Sequence, residues 1–154
     1  MALKPDCVSS IAFSPPSVDS VTFDFSSSAQ AVAQGRMAVK FAGTPPTWTL
    51  QYNLEGNHNI QVCAYLSTQF TGGKTGVIPD AWLYGTPIGG AATPFTGNGC
   101  GLPNNAVTLD NLKSAAHSGR KTEGFTALSL KLPGGTVPAP GTYYGTLTVV
   151  AQVQ

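Results

Sequence analysis

The chain has 154 residues, of which 42% are apolar and only 10% charged; it is long enough to bury the core of one domain and too apolar for a disordered chain. An ordinary soluble domain carries roughly 25% charged residues. The net charge is +1 with no basic patch to neutralise phosphates, which argues against a nucleic-acid partner, and no run of about 18 apolar residues suggests a membrane-inserted helix.

Eighteen glycines and twelve prolines predict many turns between short strands. The opening MALKPDCVSS has no apolar core of a signal peptide, although the composition suits an extracellular or cell-surface chain. CVSSIAF (7–13), closed by Pro15 and Pro16, reads as a short edge strand. VTFDF puts Val21, Phe23 and Phe25 on one side, and RMAVKFA does the same for Met37, Val39 and Phe41.

The clearest alternation is TWTLQYNL (47–54): Trp48, Leu50, Tyr52 and Leu54 share one face, and Thr47, Thr49, Gln51 and Asn53 the other. NIQVCAYL repeats it, with Ile60, Val62, Ala64 and Leu66 inward and Gln61, Cys63 and Tyr65 outward. Period two over such lengths marks half-buried strands. With the polar EGNHN between them, the pair predicts an antiparallel hairpin. Residues 71–105 are dense in Gly, Pro and Thr and read as a long ordered connection with one or two short strands, the place for ligand contacts. LDNLKSAAHSG (109–119) fits two helical turns or a strand and loop equally well. The charge cluster Arg120, Lys121 and Glu123 reads as a solvated hairpin tip. FTALSLKL puts Leu128, Leu130 and Leu132 inward and Ser129 and Lys131 outward; PGGTVPAPG is a loop. In the last strand Tyr143, Leu147, Val149, Ala151 and Val153 share the inner face, where Gly145 leaves room for a neighbour or marks a bulge.

These strands predict an all-β fold: one antiparallel, immunoglobulin-like β-sandwich domain of about seven to nine strands over 1–154, with at most one short helix. An α/β fold would need amphipathic helices between the strands.

Chemistry is thinly signalled, and no enzyme is expected. His58 and His117 lie in a turn and a loop or helix end, outside any nucleophile motif. The acids Asp6, Asp19, Asp24, Glu55, Asp80, Asp110 and Glu123 are scattered, and Asp80 and Asp110 read as turn or cap residues. GGKTG (72–76) lacks the spacing of a phosphate loop. No cofactor or metal site is expected: His58 and His117 are in no ligand register with the cysteines, and a calcium site in EGNHN or TGNGCGLPNN is only weakly signalled. Cys7, Cys63 and Cys100 leave one thiol unpaired in a monomer; of three pairings, Cys63–Cys100 is favoured. Trp82 and Tyr84 lie two apart and would share a face in an extended segment, the geometry of a small sugar-stacking platform, with core or loop packing as the competing role.

TLTVVAQV is free of charge and proline, so left at an edge it would template aggregation. A strand of this chain or of another must cover it. FTALSLKLPGG followed by APGTYYGTLTVVAQVQ resembles the end of bacterial chaperone–usher pilins and related surface sandwiches, through Gly141, Tyr143, Gly145, Leu147 and Val149. The resemblance covers about 30 residues at the C-terminus. It implies a structural or adhesive subunit of an extracellular fibre (a pilus or fimbria), with copies of itself or related subunits as partners and Tyr143, Leu147, Val149 and Val153 as the pairing strand. In that family a neighbour's N-terminal segment completes the sheet, by donor-strand complementation. Here MALKPDCVSSIAF lacks a long alternating segment and is interrupted by Pro5, which leaves a self-complete sandwich or a tip domain open. The alternatives are a carbohydrate-binding module facing a surface glycan through Trp82 and Tyr84, and a decoration domain of a virion or appendage.

Overall fold

The computed structural model describes residues 10–22, 38–40, 43–54, 59–72, 76–77, 82–112, 118–131 and 143–153. Alternation and turn chemistry produce eleven strands among these residues and no helix. They are β1 (Ser10–Phe13), β2 (Ala38–Lys40), β3 (Thr47–Asn53), β4 (Ile60–Gly72), β5 (Gly76–Val77), β6 (Trp82–Pro87), β7 (Thr93–Pro94), β8 (Gly97–Gly99), β9 (Leu102–Leu112), β10 (Ser118–Lys131) and β11 (Tyr143–Val153).

Two antiparallel sheets result. The first runs β1-β3-β10-β6-β7, with β2 also on β10; the second runs β11-β4-β9-β8, with β5 also on β4. Their inner faces share one core, in which Leu50, Val62, Leu109, Phe125 and Leu128 are buried. Trp48 and Tyr52 lie in it as the alternation requires. Leu147, Val149 and Ala151 of β11 pack against it from one margin. The molecule is therefore a β-sandwich, with all ladders antiparallel.

Several expectations are corrected. The segments 47–54 and 60–66 do not form a hairpin: β3 pairs with β1 and β10, and β4 with β11, β9 and β5. Alternation fixes which face of a strand is apolar, not which strand lies beside it. Crossing to the opposite sheet lets Leu50 and Val62, both fully buried, meet in one core. Residues 71–105 hold six strands or parts of strands rather than one or two, and residues 109–112 complete β9 rather than start a helix. Arg120, Lys121 and Glu123 are not a hairpin tip; they lie within β10, paired residue for residue with β3.

At the end of β11, Val153 is 37% exposed, against the expectation that it points into the core. Its ladder partner Ile60 is buried. The ladder with β4 shifts on both sides of Thr146, and Gly145 beside the shift is exposed. That glycine belongs to a bulge, not to a space filled by a large neighbour.

Candidate functional site

Three charged side chains are brought together between the sheets, and two bulges put them there. In β10, Gly119, Lys121 and Glu123 pair with Tyr52, Leu50 and Trp48 of β3. Directly opposed residues in a ladder share a face, so Lys121 and Glu123 are on the core side. Further along, Leu128 and Leu130 are the buried residues, and the inward parity has switched from odd to even. The switch is the irregularity between Phe125 and Ala127 in the ladder with β6, next to Gly124 at φ 142°. In β9 the register shifts opposite Val62 and Cys63: Thr108 faces Cys63, and Asp110 faces Val62. Leu109 is the extra residue, and it turns Asp110 from the outer phase to the inner one.

Asp110 of one sheet thus meets Lys121 and Glu123 of the other. The Lys121 Nζ and Asp110 Oδ2 form an ion pair, with the lysine side chain 46% exposed and the aspartate 17%. The backbone N–H of Asn111 donates to Asp110 Oδ1 at 2.8 Å. Glu123 is only 3% exposed and shares a hydrogen bond with Asp110, while its Oε1 is buried with no hydrogen-bond partner. Asp110 also borders an open cleft of about 360 Å³ between the β6–β7 turn, with Ile88 at its rim, and β9.

The protonation states follow from this placement. Burial pushes the Glu123 carboxyl up, and the hydrogen bond to Asp110 and its charge push it further, to about 8, against the pull of Lys121. Burial works to raise Asp110 as well. The hydrogen bonds from Glu123, Lys121 and the Asn111 N–H, with the ammonium charge, outweigh it and hold Asp110 below the ordinary carboxylate value. Lys121 is held above its ordinary value, chiefly by its hydrogen bond to Asp110. At neutral pH the site contains a carboxylic acid, a carboxylate and an ammonium. Carboxyl groups forced together divide in this way, one keeping its proton.

Asp110 is therefore not a turn or cap residue but a residue within β9; the cysteines, histidines and aromatic residues singled out from the sequence lie elsewhere. Cys63 and Cys100 form a disulfide with Cα atoms 6.2 Å apart. Cys63 is fully buried on the outer phase of β4, and the β8–β9 turn lies over it. Cys100 adopts φ 51° there, and its N–H donates to Gln61 Oε1 at 3.0 Å. Cys7, His58 and His117 fall outside the described residues. Trp82 and Tyr84 are on β6, paired with Lys131 and Ser129 on either side of buried Leu83. Tyr84 is half-buried, and the Trp82 side chain is outside the described set, as is that of Tyr143. Among the described residues, no group of three metal-ligating side chains converges. Comparison with protein-family models, curated proteins and solved structures finds no match.

Proposed function

We propose that the protein is a structural or adhesive subunit of an extracellular fibre, and that subunits associate by strand pairing at the sheet margin formed by β11. One observation carries this reading. Among the described residues the other margins end in short strands: four residues in β1, two in β7 and three in β8, with a proline or glycines in the last two. The β11 margin is eleven residues long, without charge or proline. Natural sheets blunt long edges with lysine, proline or bulges when pairing is to be avoided; here only the bulge beside Gly145 interrupts the run. Thr146 and Thr148 already have partners, so pairing between copies is an exchange and needs no bare edge. The Cys63–Cys100 disulfide supports an oxidising, extracellular setting.

Negative-stain microscopy of the purified protein tests the reading, beside a Val150→Lys/Gln152→Lys variant that charges the outer face of β11. Filaments or defined oligomers of the parent chain, dispersed in the variant, are expected. A parent chain that stays monomeric at high concentration contradicts the proposal.

A further inference from the structure

The inter-sheet cluster is not used by the fibre reading and stands independently of it. We propose that Lys121 and Asp110 condense to an intramolecular amide, a covalent bond between the two sheets, with Glu123 as the catalytic acid–base. The geometry supplies each requirement. Nucleophile and electrophile are in direct contact, Nζ of Lys121 against Oδ2 of Asp110. Groups held so need no encounter, and the barrier falls accordingly. Glu123 is hydrogen-bonded to the same Asp110 carboxyl, within reach of the oxygen on which charge develops. Its Oε1 has no hydrogen-bond partner, so a lone pair is open to receive a proton.

The step balances without a cofactor. The resting pair is an ammonium and a carboxylate. Moving one proton from Nζ to Oδ2 gives a neutral amine and a carboxylic acid with no change in net charge. The Nζ lone pair attacks Cγ of Asp110 and forms the C–N bond. Glu123 donates its proton to the developing oxyanion and takes the proton that the nitrogen sheds. The C–Oδ2 bond then breaks, its electron pair leaving with the oxygen; the other oxygen closes to the amide carbonyl and passes its proton to the leaving one, which departs as water. Of the three ammonium hydrogens one ends on that water, one replaces the proton Glu123 gave up and one stays on the amide nitrogen; the water's second hydrogen came from Glu123, which returns to its protonated state. Partial burial favours this direction, because the amide removes two charges whose desolvation the ion pair must offset. The exposed half of the Lys121 side chain and the adjoining cleft give the water a way out.

Intact-mass measurement of the folded full chain after disulfide reduction, followed by peptide mapping, tests the inference. The expected result is a mass one water below that of the sequence and a branched peptide joining the segments that carry Asp110 and Lys121. Lys121→Arg restores the full mass, and Glu123→Gln abolishes or strongly slows the loss. Asp110→Asn gives the same branched peptide with loss of ammonia in place of water. A wild-type chain at full sequence mass overturns the proposal. So does a water loss that persists in Lys121→Arg, because the Asp110–Asn111 backbone can lose water by imide formation alone. The wild-type peptide map decides the matter even if a variant does not fold.

Discussion

Glu123 is the residue at which local chemistry departs most from an exposed carboxylate. Its ordinary value of 4.5 is raised to about 8 in the fold. The unfolded chain therefore sheds this proton near 4.5 while the folded chain keeps it. Between those values the folded state binds more protons, so stability falls as pH rises through the window and levels off above it. Asp110 has the opposite sign: its lowered value contributes stability above its ordinary range that is lost as pH falls. Together the two place the best stability in mild acid. Lys121→Arg isolates the effect, because it keeps the positive charge and has no amine to acylate. Its melting temperature is expected to fall from about pH 5 to about pH 8, and adding Glu123→Gln flattens the profile. A Lys121→Arg chain equally stable across that window would show that Glu123 is ionised throughout.

Within the elements, β10 does most to shape the molecule. It pairs with β3 along its first half and with β6 and β2 along its second, and Gly124 stands at the change-over. A Cβ there would come 2.5 Å from the Pro46 carbonyl oxygen and 2.8 Å from Thr47 Cα, both backbone atoms that cannot step aside. The φ of 142° adds strain for any other residue. Gly124→Ala is expected to cost about 2–4 kcal/mol from crowding and backbone strain together, read as a lower denaturant midpoint. An unchanged midpoint would mean that the turn of β10 at this point is not as described.

This bend also explains what could be read from the sequence and what could not. The segments 47–54 and 128–130 show their buried faces directly, because within an unbroken strand parity is conserved. Lys121, Glu123 and Asp110 lie beyond irregularities, where counting in twos gives the wrong face. The inserted residue beside Asp110 is Leu109, itself buried, and it leaves no mark on composition. The signal that was present is chemical: Lys121 and Glu123 are two apart in a segment that continues a strand, so either both face water or both face the core. Neighbours were equally hidden. The residues of β3 and β4 specify faces without naming β10 and β9 as partners.

At the scale of the whole molecule, two sheets are joined by a shared core and an ion pair, and a disulfide ties the β8–β9 turn onto β4. The disulfide closes a loop of 37 residues, worth about 4 kcal/mol on the chain-entropy account. Such a body is stiff at its centre, where β3, β4, β9 and β10 hold the buried residues. The β11 margin is different: its side chains Leu147, Val149 and Ala151 are only partly buried, and Val153 is exposed. A strand in that position can exchange partners while the core stays intact.

The most direct test of assembly through β11 is amide hydrogen exchange, followed peptide by peptide at low and high protein concentration. Protection along 143–153 is expected to rise with concentration while protection in β9 and β10 stays constant. Protection of 143–153 that is the same at every concentration would contradict the account.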